Sequence, residues 1–383
     1  WTEQTVSSAL ALSTTASGVG LFGDFQVGEP FTGVTYTWDH GGGTTQWSNA
    51  SNWDPDGVPG ASDNAILSTG DPVDVTSARS ITALTVNHAA ALFRLLTGGS
   101  LTVAGNLDLI DGVIETETTF PSVSGSVTIS AGTVVFSSSG AQSIPAYPYY
   151  HLTSTNTGAR TLASSDTIGI SGTFTPGTNS YTVTGSTIEY DGSGAQTIAA
   201  FAYHNLVSSG AGSRTISTSD TIGIAGAFTP GTNSYTVTGS TVDFSGAGAQ
   251  TVPAFTYDNL SNTGNSNRTL ASSGTAGIAG TFSPGSGTYT TTGSTVEFSG
   301  SGSQTIPALS YDNLTSSGTG ARTLASSGTI GIAGTFTPGT NSYTVTGSTV
   351  EFSGSGAQTV PAFTYDNLTV SGDRVGAAVT LAS

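Results

Sequence analysis

Apolar and polar residues alternate over many short stretches of this chain. In residues 329–336, Ile330, Ile332 and Phe336 are separated by small or polar residues, and Val350 and Phe352 alternate in the same way. A period of two that is rich in β-branched and aromatic residues predicts strands with one buried face. Pro-Gly and Ser-Gly-Ser-Gly clusters between the stretches predict turns. Because no stretch keeps a helical apolar period, the chain is predicted to be all-β.

The alternating pattern recurs every 54 residues from residue 140 onward. The recurring motif resembles G-A-Q-T-I-P-A-F-x-Y-D-N-L, and its glutamines are Gln142, Gln196, Gln250, Gln304 and Gln358. A second motif begins with Arg160, Arg214, Arg268 and Arg322. Copies without insertions predict a parallel β-solenoid in which each copy stacks on the next. Six short strands per copy suggest two triangular coils. Small independent β-domains are the alternative, but one copy alone would bury too little surface.

Stacking of the copies would align corresponding residues into ladders. One ladder is predicted to line an edge of the solenoid and consists of Tyr149, Tyr203, Tyr257, Tyr311 and Tyr365. A second is predicted to fill the core and consists of Leu152, Leu206, Leu260, Leu314 and Leu368. A third is predicted to bond the turn backbone, as asparagine does in tight corners, and consists of Asn205, Asn259, Asn313 and Asn367.

The organisation predicted from these patterns has four segments. Residues 1–35 form an N-terminal strand segment that could serve another subunit, and residues 36–80 form a Trp-rich cap. Residues 81–139 form irregular coils, since Leu101 and Val103 repeat the alternating pattern, and residues 140–383 form the repeats, with an incomplete last copy.

The predicted cap contains Trp38, Trp47 and Trp53. A solenoid needs a cover over the open edge of its first coil, and buried tryptophans would supply one. The functional alternative is an aromatic platform, because flat indole faces suit sugar rings.

The Trp-rich segment reads Y-T-W-D-H-G-G-G-T-T-Q-W-S-N-A-S-N-W-D-P-D-G-V-P-G-A-S-D-N-A-I-L. With the Thr/Ser/Gly-rich repeats that follow, it resembles large secreted bacterial β-helical proteins of the autotransporter and surface-adhesin type. The G-A-Q-T-I-P…Y-D-N-L repeat is similar to repeats in cell-surface proteins of Bacteroidota-type bacteria. The resemblance implies an extracellular or cell-surface protein after signal peptide removal, and it leaves adhesin and filament functions open.

The composition of the chain makes several classes of binding partner unfavourable. Only 8% of residues are charged and the formal net charge is −17, so nucleic acids and anionic membrane surfaces are unfavourable partners. No apolar run approaches the roughly 20 residues of a membrane helix, so no membrane insertion is expected. The absence of cysteine removes disulfides and thiol chemistry, which suits an exported bacterial protein.

Acidic residues recur with the repeat rather than forming one constellation. One set is Glu189, Asp243, Glu297 and Glu351, and another is Asp258, Asp312 and Asp366. A β-helical polysaccharide-active enzyme would need one non-periodic acid cluster in a groove. The periodic pattern therefore predicts no enzymatic activity.

No cofactor is expected, and calcium is the one ion that the sequence allows. Asp54, Asp56 and Asp63 place hard oxygen ligands close together in a turn, although the full EF-hand pattern is absent. Ordinary Asp and Gly turns are the alternative.

The two ends of the sequence match a single repeat that has been divided. Residues 380–383 read T-L-A-S, which in earlier copies precedes S-G-T-I-G-I-A-G-T-F-T-P-G, and residues 16–28 resemble that continuation. We expect head-to-tail association of copies through Val19, Leu21, Gly23, Phe25, Thr380, Leu381 and Ser383. Such a contact does not close, so it would propagate a filament. The alternative is that residues 16–28 form the first coil of the same solenoid and that the C-terminus is frayed or truncated.

The sequence thus favours a structural subunit of an extracellular bacterial filament or surface layer, with itself as partner. The alternative is a monomeric adhesin or stalk that binds glycans, and a polysaccharide-active β-helix enzyme is the remote alternative.

Overall fold

A computed structural model describes residues 6–10, 13–16 and 33–382, with side chains from residue 33 onward. Within these ranges the chain is all-β, apart from one short 3-10 turn at Ala50–Asn52. The strands stack in parallel coils, so the predicted parallel β-solenoid is confirmed. The contacts define two compact units. The first contains described residues up to Val113 and Pro121–Thr128, and the second contains Ile114–Phe120 and the residues from Ile129 onward.

The strands that begin in the first unit are β1 (Val6–Leu10), β2 (Ser13–Ala16), β3 (Thr35–Trp38), β4 (Trp53–Asp54), β5 (Asn64–Leu67), β6 (Pro72–Val75), β7 (Ala78–Ile81), β8 (Ala83–Leu95), β9 (Ser100–Val103), β10 (Leu107–Thr116), β11 (Ser122–Val123) and β12 (Val127–Ile129).

In the first unit, β3, β5 and β8 run parallel in one sheet, and β7, β9 and β11 run parallel in a second. Among the strands described in this unit, two pairs are antiparallel. One is the hairpin of β1 and β2, and the other joins β3 to β4 through the pairs Thr37–Asp54 and Trp38–Trp53. Strand β4 therefore lies against the edge of β3 that faces away from the rest of the sheet.

The second unit begins its strands with β13 (Thr133–Phe136). The first repeat then contains β14 (Gln142–Ile144), β15 (Pro148–Tyr149), β16 (His151–Ser154), β17 (Arg160–Leu162), β18 (Thr167–Ile170), β19 (Phe174–Thr175), β20 (Tyr181–Thr182) and β21 (Thr187–Tyr190). The second contains β22 (Gln196–Ile198), β23 (Ala202–Tyr203), β24 (Asn205–Ser208), β25 (Arg214–Ile216), β26 (Thr221–Ile224), β27 (Phe228–Thr229), β28 (Tyr235–Thr236) and β29 (Thr241–Phe244).

The third repeat contains β30 (Gln250–Val252), β31 (Thr256–Tyr257), β32 (Asn259–Ser261), β33 (Arg268–Leu270), β34 (Thr275–Ile278), β35 (Phe282–Ser283), β36 (Tyr289–Thr290) and β37 (Thr295–Phe298). The fourth contains β38 (Gln304–Ile306), β39 (Ser310–Tyr311), β40 (Asn313–Ser316), β41 (Arg322–Leu324), β42 (Thr329–Ile332), β43 (Phe336–Thr337), β44 (Tyr343–Thr344) and β45 (Thr349–Phe352). The last copy contains β46 (Gln358–Val360), β47 (Asn367–Val370) and β48 (Val379–Leu381).

Each 54-residue repeat makes three coils, so the prediction of two coils is wrong. Gln142 pairs with Arg160 and Arg160 pairs with Tyr181, which places Gln, Arg and Tyr at the same point of three successive coils before Gln196 begins the next repeat. The coils were hidden in the sequence because these three residues are chemically unlike. The six predicted strands become eight because two of them bend at a corner, as between β18 and β19.

The core follows the period-two prediction. Ile330 and Ile332 are buried and Phe336 is 6% exposed, so their inward assignment is confirmed. The core leucines are also confirmed for the four complete repeats. The tyrosine ladder was predicted to line an edge, and that is wrong for Tyr149, Tyr203, Tyr257 and Tyr311, which are buried. Their hydroxyls donate to carbonyls four residues earlier, so the polar tip is satisfied inside the core.

Candidate functional site: side chains that join the coils

Four arginines at corresponding places of the repeats are fully buried: Arg160, Arg214, Arg268 and Arg322. In the fourth repeat, Nη2 of Arg322 donates to the carbonyl oxygens of Phe298 at 2.9 Å and Gly300 at 3.1 Å. Nη1 donates to the carbonyl oxygen of Gly320 at 2.8 Å. The guanidinium therefore joins the corner that precedes β38 to the corner that precedes β41, one coil above.

The charge of these guanidiniums is balanced by backbone dipoles. Their hydrogen-bond partners within the described residues are carbonyl oxygens, with one serine hydroxyl at Arg214, and none is a carboxylate. Desolvation by burial lowers the pKa of each arginine, yet a guanidinium stays protonated at any ordinary pH. Its fork of N–H donors can bind several carbonyls at once, which a lysine ammonium could not do in this geometry.

The recurring glutamines make a second set of bonds between coils. Oε1 of Gln304 accepts from the backbone N–H of Gly300 at 2.9 Å, and Nε2 donates to the carbonyl oxygens of Ile278 at 2.8 Å and Gly280 at 2.7 Å. The equivalent bonds recur at the other repeat glutamines. All functional atoms of the amide are used within the solenoid.

The glutamines lie where the backbone sheets are interrupted, on the first strand of each three-stranded sheet, whereas the arginines lie on its middle strand. The sheet of β22, β25 and β28 ends at β28, and the next sheet on that side begins with β30. Phe255 packs at this break, with its ring 4.8 Å from Tyr235, 5.4 Å from Phe228 and 4.9 Å from Tyr257 in edge-to-face contacts. Side chains thus supply contacts between repeats that the ladder of backbone hydrogen bonds does not.

The asparagine ladder bonds the turn backbone, as predicted. In the fourth repeat, Nδ2 of Asn313 donates to the carbonyl oxygen of Ser294 at 3.1 Å, and Oδ1 accepts from the backbone N–H of Thr335 at 3.0 Å. The neighbouring Asp312 accepts from the backbone N–H of Gly293 at 2.6 Å. Asn313 therefore hydrogen-bonds to the coil below and to the coil above, and Asp312 stabilises the tight turn.

The buried tyrosines make the fold sensitive to alkali. Burial raises the pKa of Tyr149, Tyr203, Tyr257 and Tyr311 well above 10.0, and that of Tyr190 to about 12. Below pH 10 both folded and unfolded chains hold these protons. As the pH rises further, only the unfolded chain releases them, so the free energy of unfolding should fall.

We expect phenolate absorbance of the buried tyrosines to appear together with loss of the far-ultraviolet circular dichroism signal above about pH 10. Both signals can be recorded in one alkaline titration. Full titration of all 13 tyrosines at an ordinary value, with the dichroism unchanged, would contradict their burial.

Successive acids of the first periodic set lie too far apart to pair with each other. Glu189, Asp243, Glu297 and Glu351 each lie between two inward residues of a strand, and successive members are three coils, or about 14 Å, apart. An inverting pair of carboxylates needs a separation of about 6.5–9.5 Å. Asp243 accepts from the backbone N–H of Thr263 at 2.9 Å, which is a bond between coils.

The alternative interpretation of the tryptophans, an aromatic platform for glycans, is wrong. Trp38, Trp47 and Trp53 are 0%, 1% and 1% exposed, so none offers a ring face to a sugar. Trp53 packs edge to face on Trp38 at 5.0 Å and on Trp47 at 4.6 Å, and its Nε1 donates to the carbonyl oxygen of Trp47 at 2.9 Å. The three rings form the core beneath β3 and β4.

The structure does not assemble the calcium ligands that the sequence allowed. Asp54 and Asp56 are exposed, whereas Asp63 is buried and its carboxylate is occupied. Oδ1 of Asp63 accepts from the N–H of Val34 and Oδ2 from the N–H of Gly60, both at 2.8 Å. Across the described ranges, no three His, Cys, Asp or Glu side chains come together as a metal site.

The structure describes only two of the residues that were predicted to mediate assembly. Val19, Leu21, Gly23, Phe25 and Ser383 lie outside the described residues. Thr380 and Leu381 belong to β48, which pairs with β46, and Leu381 is 77% exposed. On β47, Leu368 is 41% and Val370 is 51% exposed, whereas Leu314 is buried at the corresponding place of the fourth repeat.

Sequence reasoning missed Arg374, which replaces the ladder arginine in the last copy. Its Nη2 donates to the carbonyl oxygen of Phe352 at 2.7 Å and its Nη1 to that of Gly356 at 2.9 Å, the counterparts of carbonyls bound by Arg322. Arg374 lies 16 residues after Gln358, whereas Arg322 lies 18 residues after Gln304, and Val379 rather than Arg374 pairs with Gln358. The rarity of basic residues was the available signal, since the chain has only seven.

These observations define the class of protein, a parallel β-solenoid of three-coil repeats. No protein-family model, curated protein or solved structure matches the chain. Among the described residues, no helix has the length and apolar character needed to cross a membrane.

Proposed function

We propose that this chain is a structural protein of the bacterial cell exterior, a stiff solenoid whose copies add end to end into a filament or surface layer. The observation that carries the proposal is that the recurring polar side chains make their hydrogen bonds between coils. Arg322 and Gln304 are buried and bind only backbone groups of neighbouring coils or corners, and Asn313 brackets two coils. A repeat of this kind maintains length and stiffness.

End-to-end addition would use the apolar side chains of β47. In the fourth repeat, Leu314 of β40 pairs with Phe336 of β43 and is buried. The corresponding Leu368 is 41% exposed. Residues 16–28 have the sequence pattern of the segment that contains β42 and β43, so a second copy could cover β47 with that segment. Main-chain pairing would supply affinity, and the apolar face would set the register.

The proposal predicts that the purified chain forms filaments and that Leu368→Asp together with Val370→Asp abolishes them. Both side chains occupy the inward places of β47, where a charge would have to be buried against the added copy. Thr369→Asp, at the outward place between them, is the matched control and should leave filaments intact. Sedimentation and electron microscopy measure the outcome.

Deleting residues 1–28 should also abolish filaments while the repeats stay folded, because each repeat contacts only its neighbours. A peptide of residues 15–28 should then shorten filaments of the full chain in proportion to its concentration. A full chain that stays monomeric, or a deletion variant that forms filaments of normal length, would overturn the end-to-end mechanism.

A further inference from the structure

The first repeat contains four side chains that later repeats lack, and they surround one groove. Tyr150, His151, Ser171 and Asp191 line a cavity of about 440 Å³. The residues at the corresponding places in later repeats are His204, Asp258, Asp312 and Asp366 for Tyr150; Asn205, Asn259, Asn313 and Asn367 for His151; Ala225, Ala279 and Ala333 for Ser171; and Ser245, Ser299 and Ser353 for Asp191. The cluster is therefore not a property of the repeat.

His151 performs the structural task of the asparagine that it replaces. In the third repeat, Oδ1 of Asn259 accepts from the backbone N–H of Thr281 at 2.9 Å. In the first repeat, Nδ1 of His151 accepts from the backbone N–H of Thr173 at 3.1 Å. Nδ1 also lies 2.7 Å from the Thr173 hydroxyl, which donates to it in the tautomer that accepts the backbone N–H. In that tautomer the neutral imidazole carries its proton on Nε2. Nε2 is thus a hydrogen-bond donor that the coil contact does not need.

Asp191 supplies an acceptor on the same groove. The Ser171 hydroxyl donates to Oδ1 of Asp191 at 2.8 Å, which fixes the carboxylate and leaves Oδ2 to accept from a ligand. The serine is bonded to the carboxylate rather than to the imidazole. A serine nucleophile needs an adjacent base, so this arrangement suits binding and not covalent chemistry.

Tyr150 adds an aromatic wall. Its ring lies 4.5 Å from that of His151 in an edge-to-face contact, and both residues are half-exposed. The rest of the groove is lined largely by glycines and small residues, including Gly172 and Gly194. The groove is thus lined by the aromatic ring of Tyr150, a hydrogen-bond donor on His151 and an acceptor on Asp191.

We infer that this groove binds a neutral saccharide. A pyranose has an apolar C–H face for Tyr150 and a rim of hydroxyls that can both donate to Asp191 and accept from His151. The cavity lies within the range of about 300–1,000 Å³ typical of small-ligand sites. The carboxylate and the net charge of −17 disfavour acidic sugars. The inference goes beyond the structural function and uses none of the buried tryptophans.

The test is saturation-transfer difference NMR of the full chain with glucose, galactose, mannose and N-acetylglucosamine. At least one sugar should give a signal, with an affinity in the millimolar range. His151→Asn with Asp191→Ser should weaken that binding at least tenfold. These are the residues that later repeats use, so the fold should accept them, and an unchanged melting temperature verifies this. Tyr150→Ala should weaken binding without changing the filaments.

A graft provides the reciprocal test. Asp258→Tyr, Asn259→His, Ala279→Ser and Ser299→Asp recreate the cluster in the third repeat and should add a second site, doubling the bound sugar at saturation. Absence of a signal from all four sugars, or binding that survives the double variant, would overturn the inference. A signal from choline and none from the sugars would overturn the saccharide assignment.

Discussion

Replacing Arg322 with methionine should reduce the free energy of unfolding of its repeat by about 1.5–3 kcal/mol, the contribution typical of a hydrogen bond to a charged group, because each carbonyl that it binds keeps a second donor. The guanidinium is fully buried and its two Nη atoms bind the carbonyl oxygens of Phe298, Gly300 and Gly320. Methionine fills a similar volume but donates to none of them. Removing the buried charge recovers some desolvation energy, which places the loss below the sum of the individual bonds.

The loss should be local, since a solenoid repeat contacts only its neighbours. Hydrogen exchange should therefore accelerate at the corners before β38 and β41, while the distant first repeat keeps its protection. Thr323→Ala changes the adjacent exposed residue of the same strand and is the matched control. The exchange rates of Arg322→Lys should lie between those of Arg322→Met and Thr323→Ala, because an ammonium is a point charge that cannot span the carbonyls. Equal exchange rates in Arg322→Met and Thr323→Ala would show that the guanidinium does not hold the corners together.

The fold class could be predicted because the information lies in local alternation. Ile330, Ile332 and Phe336 follow a period of two, and a strand places such residues on one face whatever the rest of the chain does. The repeat length was also visible. The number of coils was not, because Gln304, Arg322 and Tyr343 occupy the same place in successive coils but share no chemistry.

The buried arginines show why the rest of the candidate site could not be predicted. An arginine after Gly-Ala and before Thr-Leu has the sequence context of an exposed turn, and arginine is seldom fully buried. Its partners are backbone carbonyls, which every residue possesses, so the sequence carries no complementary signal such as a paired acid. The tryptophans were hard to interpret for a different reason, because their pattern fits two structures. Trp38 and Trp53 suit either a core or a sugar platform, and only their packing decides for the core.

The groove of the first repeat was hidden for a related reason. His151 occupies a ladder position, so its departure from asparagine is visible only after the ladder is aligned. Asp191 lies 40 residues further along the sequence, and only the stacking of coils brings the two side chains to one cavity. Non-periodic residues within a periodic chain are therefore the most informative places to search for function.

Phe336→Asp should be the most destabilising of the core substitutions, and its effect should depend on pH. Phe336 is 6% exposed, pairs with Leu314, and its ring lies 5.4 Å from that of Phe363. Loss of a buried phenylalanine side chain costs about 3–5 kcal/mol, and burial of an unpaired carboxylate adds to that.

Burial would raise the pKa of the introduced carboxyl, so the added cost should be largest at neutral pH and should shrink as the pH falls towards about 4, where the unfolded chain is also protonated. Thr337→Asp is the matched control, because Thr337 is the outward residue of the same two-residue strand. Thermal unfolding of both variants across this pH range measures the difference. Equal melting temperatures for the two variants at neutral pH would mean that β43 does not direct Phe336 into the core, and the inward register of every repeat would then be in error.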